Sequence, residues 1–105
     1  MKLILSETDL MYQILDLAHV RGWLAQHTRP AWTAKGWRTP IQGDKGFPDL
    51  VLARAPRVII AELKDDRTQL SKEQKLWVER LCDCPGVEVY IWRPRLWAEI
   101  DAVLL

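Results

Sequence analysis

The chain has 105 residues and a mass of 12.2 kDa, which bounds it to one domain built on a single core. Apolar residues make up 49% and charged residues 28%, a balance that excludes disorder by composition. With 15 basic and 14 acidic side chains the net charge is only +1, so any nucleic-acid footprint has to be local.

The first residues, Met1 to Glu7, turn acidic too soon for a secretory signal. No apolar run approaches the ~20 residues that span a bilayer. Cys82 and Cys84 are too few for a disulfide framework and lack a second pair at zinc-site spacing. They are expected to be reduced, as small core or loop residues, which suits a cytoplasmic setting.

In chain order, Ser6-Glu7-Thr8-Asp9 reads as a capping box that opens a helix. Leu10, Met11, Ile14, Leu15 and Ala18 follow with helical spacing, and Gly22 supplies a stop. Glu7 shares the stripe of Met11, Ile14 and Ala18, which places a carboxylate at the end of the inward face. Residues 23–28 read as a short strand, and 29–47 as a long loop punctuated by Pro30, Gly36, Pro40, Gly43 and Gly46. A second strand spans 48–53, with Pro48 at its permitted first position, and Ala55-Pro56 turns the chain. Residues 57–64 form the clearest strand, β-branched and bounded; there Glu62 and Lys64 share one face. Ser71-Lys72-Glu73-Gln74 is a second capping box. Its helix is expected to carry Leu76, Trp77, Val78 and Leu81 inward and to end near Pro85-Gly86. A strand over 87–92 and a helix over about 96–104 complete the chain. The order α-β-β-β-α-β-α specifies an α/β fold, a central mixed sheet flanked by helices.

Asp49 opens one strand and Glu62-Leu63-Lys64 closes the next. A hairpin would gather Asp49, Glu62 and Lys64 at one end of the sheet. Two carboxylates suit Mg²⁺ or Mn²⁺, which bind through one or two carboxylates, waters and substrate phosphate. The lysine would orient or deprotonate a water, or neutralise charge on a phosphate, and metal plus in-line water hydrolyses phosphodiesters.

Gly46-Phe47-Pro48-Asp49 with Glu62-Leu63-Lys64 resembles the PD-(D/E)XK nuclease core. Glu7, the run Leu70 to Trp77 and the trailing Val89-Tyr90-Ile91-Trp92-Arg93-Pro94 sharpen this into a resemblance to the VRR-NUC family, the virus-type replication and repair nucleases. The resemblance runs from about Glu7 to Trp97 and implies a restriction-endonuclease-like core. It implies Asp49, Glu62 and the Leu63 carbonyl as metal ligands, and Lys64 as the residue that positions the nucleophilic water. Glu7 would complete the acidic cluster directly or through a water on the metal. Gln74 would sit at the mouth of the site, fixing the lysine, a water or a phosphate. The core motif is unbroken, which argues for an active enzyme. The extra DNA-binding domains of larger members are absent from the sequence, which leaves substrate choice open. Short members resemble Holliday junction resolvases and act as homodimers, so the implied activity is a Mg²⁺- or Mn²⁺-dependent endodeoxyribonuclease on branched DNA. The implied setting is replication and repair in a bacterial or phage-infected cell.

Between Arg21 and Lys45 the bases Arg21, Arg29, Lys35, Arg38 and Lys45 face one acid, Asp44, with Trp32 and Trp37 interleaved. Cations match phosphates and indoles stack on unpaired bases, so Arg29, Trp32, Lys35, Trp37, Arg38 and Lys45 are the candidate DNA contacts. Arg67, Arg93 and Arg95 are secondary phosphate candidates.

Each feature also has a plainer reading. Asp49 can cap a turn, Glu62 and Lys64 can form a solvated pair, Glu7 complements a helix dipole, and Gln74 completes a cap. The loop tryptophans can anchor the loop, Trp77 and Trp92 fit a core, and Trp23 and Trp97 fit a core or a dimer surface. Asp65 and Asp66 read as turn residues and His19 as surface; His27, near enough to touch a phosphate, reads first as structural. The joint spacing of Asp49, Glu62 and Lys64 favours the catalytic reading. The alternatives are a flap or end-processing nuclease, a module that binds a nucleic-acid junction or a partner without cutting, or a structural subunit that assembles through its tryptophans.

Overall fold

The computed structural model describes residues 6–28, 31–38 and 41–105. Its elements in chain order are α1 (Glu7–Val20), β1 (Leu24–His27), β2 (Ala31–Thr33), β3 (Gly36–Arg38), β4 (Leu50–Arg54), β5 (Arg57–Leu63), α2 (Lys72–Cys82), β6 (Glu88–Trp92) and α3 (Trp97–Val103). Both capping boxes form. Ser6 Oγ accepts from the Asp9 N–H at 3.1 Å while the Ser6 N–H donates to Asp9 Oδ2 at 3.3 Å. At α2 the Gln74 N–H donates to Ser71 Oγ at 3.2 Å, and the Ser71 N–H donates to Gln74 Oε1 at 2.8 Å. Two otherwise orphaned N–H groups are thereby satisfied at each helix start.

Strands β1, β4, β5 and β6 form one mixed sheet in the order β1-β4-β5-β6. The pairs β1/β4 and β4/β5 are antiparallel, and β5/β6 is parallel, joined by the α2 crossover. The α/β class and the order of helices and sheet strands agree with the sequence, and the arrangement is consistent with a restriction-endonuclease-like fold.

The β4/β5 register sets Leu50 beside Ala61 and Leu52 beside Ile59. These four and Leu63 pack with Leu10, Met11, Ile14 and Ala18 of α1, and with Trp92, Ile100 and Leu104, in one buried cluster. Each aliphatic side chain fully buried there contributes about 1.5–3 kcal/mol. Trp23 joins the core rather than a free surface. Its Nε1–H donates to the Leu104 carbonyl at 3.1 Å, and the Arg54 and Arg57 guanidinium groups lie 4.5 Å and 5.0 Å from its ring centroid. Alternate β5 residues Val58, Ile60 and Glu62 face the other side of the sheet.

Several expectations are corrected. The segment 29–47 is not all loop: β2 and β3 pair as a separate hairpin, with Trp32 opposite Trp37. Helix α2 ends at Cys82, before Pro85, and buries no residue fully; Leu76, expected inward, is 55% exposed. Trp77, expected in the core, is half-buried. The last helix begins with a 3₁₀ turn over Pro94–Leu96. Cys82 and Cys84 are free and both exposed, so neither is a core residue. Among the described residues no helix is long and apolar enough to cross a membrane.

Candidate active site

The antiparallel β4/β5 pair carries the start of one strand to the end of the other, as the hairpin argument requires. Asp49, just ahead of β4, is fixed on two sides: its Oδ2 accepts the Leu63 N–H at 2.8 Å and its backbone carbonyl accepts the Thr28 N–H at 3.3 Å. Lys64 is fixed by its own N–H, which donates to the Trp92 carbonyl at 3.0 Å. Its side chain is buried, as Glu62 is, so the two do not form a solvated surface pair.

Glu62 is only 1% exposed. Its Oε1 accepts from Gln74 Nε2 at 3.2 Å, and its Oε2 is buried with no hydrogen-bond partner. An uncompensated buried carboxylate is costly, and it takes up a proton unless a cation joins it. The Glu62 carboxyl is accordingly pushed up to about 9. Burial is the largest cause; the close approach and negative charge of Asp49 add to it, Lys64 opposes it, and Glu7 adds a further push. Glu7, half-buried at the first turn of α1, is also raised, first by burial and then by Asp49, with Lys64 opposing. Glu7, Asp49, Glu62 and Lys64 therefore share one electrostatic neighbourhood.

Gln74 serves two roles at once. Its Oε1 completes the α2 capping box while its Nε2 reaches Glu62. The loop before Asp49 reaches this helix start through Gly46, which has φ +98°. A Cβ there would lie 2.6 Å from the Glu73 carbonyl carbon, so glycine is required by both conformation and close approach.

Among the described residues no three histidine, cysteine, aspartate or glutamate side chains gather tightly enough to hold a metal ion by themselves. Asp49 and Glu62 are nonetheless a fitting pair for a hard divalent cation. The partnerless Glu62 Oε2 supplies an oxygen that only a proton or a cation would satisfy, and Mg²⁺ needs few protein ligands because it keeps several waters. The Leu63 backbone joins the neighbourhood through its N–H to Asp49.

The structure separates the sequence candidates for DNA contact. Lys35, Trp37 and Arg38 lie exposed on the β2/β3 hairpin, with Trp37 62% exposed and Arg38 Nη1 donating to the Trp37 carbonyl at 2.9 Å. Lys45 is exposed elsewhere, against α2, in an ion pair with Glu73 at 3.6 Å. Arg29 and the Trp32 side chain lie outside the described residues. Arg93 is committed to the fold: its Nη1 donates to the Asp65 and Thr68 carbonyls at 2.6 and 2.8 Å, stapling the turn after Lys64. Asp65 and Asp66 are turn residues as expected. Asp65 Oδ1 accepts the Arg67 and Thr68 N–H groups, and Asp66 Oδ1 accepts the Arg95 N–H.

The sequence favours a structural role for His27 and does not single out Thr8 or Thr28, yet all three border the candidate site. Thr8, Met11, His27 and Thr28 line a cavity of about 200 Å³ together with Glu7, Asp49 and Leu63. The signal for it lies in the β1/β4 register, which sets His27 beside Leu50.

No curated protein and no solved structure matches the chain significantly. The family model described as the VRR-NUC domain matches residues 13–95, a span that holds Asp49, Glu62, Lys64 and Gln74 and begins after Glu7. With most of its length inside that match, the chain belongs to the VRR-NUC family, a membership that indicates a nuclease-type hydrolase acting on DNA in repair or replication.

Proposed function

We propose that the protein is a divalent-metal-dependent endodeoxyribonuclease for structured DNA, acting in the cytoplasm as a Holliday-junction-resolvase-like homodimer. The observation that carries the chemistry is Glu62, a buried carboxylate with one partnerless oxygen set against Asp49. Asp49, Glu62 and the Leu63 carbonyl are the residues that would hold Mg²⁺ or Mn²⁺, with Glu7 acting through a water. Bound there, the ion supplies Lewis-acid polarisation of the phosphodiester. Lys64 holds the attacking water and offsets charge that builds on the phosphate. The water oxygen bonds to phosphorus while the bond from phosphorus to the leaving sugar oxygen breaks; the attacking water's proton passes to solvent, and the departing sugar oxygen takes up a proton from solvent. Gln74 fixes the Glu62 carboxylate.

Support for branched substrates comes from charge and from the hairpin. A net charge of +1 supplies little of the salt-dependent attraction that drives bulk duplex binding. Lys35, Trp37 and Arg38 are displayed where an indole and two cations can meet a branch point. Two symmetric cuts need two active sites, which a twofold dimer supplies.

The test is cleavage of a labelled four-way junction beside a matched linear duplex, in Mg²⁺, Mn²⁺ or EDTA, by wild type and Lys64→Ala. Paired cuts in the junction that need metal and fall by about 10³-fold or more in the variant support the reading. Cuts in flapped or linear DNA alone keep the nuclease and remove the junction assignment. Junction binding without cleavage points to a binding module.

A further inference from the structure

The cavity beside Asp49 lies between the first turn of α1 and the end of β1. Its lining combines acidic, hydroxyl, imidazole and apolar side chains. The carboxylates of Glu7 and Asp49 line it together with the hydroxyls of Thr8 and Thr28, the imidazole of His27, and Met11 and Leu63. Its position is fixed by backbone bonding, because the Thr28 N–H donates to the Asp49 carbonyl and His27 sits opposite Leu50 in the sheet. Anything that occupies this space is therefore in contact with Asp49, just ahead of β4 in the proposed site.

At about 200 Å³ the space is smaller than the ~300–1,000 Å³ of pockets that enclose a whole organic ligand. That size suits a sugar–phosphate unit better than a complete nucleotide with its base. Two hydroxyls and an imidazole are donors of the kind that fix a DNA strand through its phosphate oxygens, setting register without reading sequence.

We infer that this cavity is a backbone subsite, in which His27, Thr28 and Thr8 hold the phosphodiester next to the one being cut. The inference rests on the nuclease reading and deepens it, by naming the surface that sets where along the strand the scissile phosphate falls. It gives His27 a substrate-binding role where the sequence favoured a structural one.

Thr28→Val keeps the side-chain shape and the backbone N–H to Asp49 while it removes the hydroxyl. His27→Ala removes the imidazole, and both positions are at least partly exposed, so wild-type melting temperatures are the control for folding. Two quantities are read on a branched, fluorescently labelled DNA: kcat and KM in Mg²⁺, and Kd by anisotropy with Ca²⁺ in its place. Each variant is expected to raise KM and Kd by about tenfold or more with kcat nearly unchanged, as loss of one hydrogen bond to a charged oxygen does. Unchanged KM and Kd in both variants, or a loss confined to kcat, would overturn the subsite. If the wild type binds DNA but does not cut it, the nuclease reading fails by itself and the Kd comparison still decides the subsite. If it neither binds nor cuts, both fall.

Discussion

Helices α1 and α2 begin with the same device and put it to different uses. In α1 the residue three past the cap is Asp9, whose side chain bonds back to Ser6 and is exposed. In α2 that residue is Gln74, whose carbonyl oxygen bonds back to Ser71 while its amide nitrogen reaches Glu62. A carboxylate is all acceptor; an amide that has given its oxygen to the cap still has a donor to place. The anchoring differs as well. Helix α1 buries Leu10, Met11, Ile14 and Ala18, whereas α2 buries no residue fully. One helix delivers Glu7 to the site as the end of a packed stripe. The other meets the site through polar contacts at its first turn, where Gly46 passes close to Glu73.

The largest expected effect separates the two helices by burial. Ile14→Ala removes a side chain with no exposure and should cost about 3 kcal/mol, while Leu76→Ala, at a position 55% exposed, should stay within about 0.5 kcal/mol. Urea unfolding of both variants measures the contrast, and equal losses would break it.

The next effect concerns Glu62 and has a definite sign. Its carboxyl is raised to about 9 from an ordinary value of 4.5. Without metal the folded chain holds a proton that the unfolded chain has lost. The stability this gives is complete below about pH 4.5 and is lost as pH rises toward 9. Glu62→Gln mimics the protonated form. In EDTA at pH 8 it should stabilise the protein by a few kcal/mol, with the difference vanishing near pH 4; in Mg²⁺, where the wild type cleaves, the variant should not. Thermal melts across that pH range read it.

The smallest effect isolates the spare donor. Asp9→Ala and Gln74→Ala should each cost about 1 kcal/mol as cap losses. Only Gln74→Ala should also slow cleavage, by about tenfold, the scale of one hydrogen bond to a charged group. Equal cleavage rates in the two variants would reduce Gln74 to a cap and nothing more.

These contrasts also show why the sequence was legible in some places and opaque in others. Both caps are local patterns, and both form where Ser6 and Ser71 place them. The convergence of Asp49 with Glu62 follows from a short turn at Ala55-Pro56, so a hairpin argument reaches it. Leu76 misleads because Leu76, Trp77 and Val78 are consecutive, and three consecutive residues cannot all face inward on a 3.6-residue period. The β2/β3 hairpin has no Asn-Gly or Asp-Gly signal. It turns at Ala34-Lys35 before Gly36, whose φ is +94°. His27 and Arg93 gain their places from long-range pairing: His27 from the β1/β4 register, and Arg93 from carbonyls 25 and 28 positions earlier in the chain. No local period encodes such contacts.

The central claim is that Glu62 and Asp49 together form a cation site. Calorimetric titration of Mn²⁺ into wild type and Glu62→Gln at pH 7.5, without DNA, tests it most directly. The account predicts saturable binding by the wild type and its loss in the variant. Binding of equal strength in both proteins, or none in either, would contradict it.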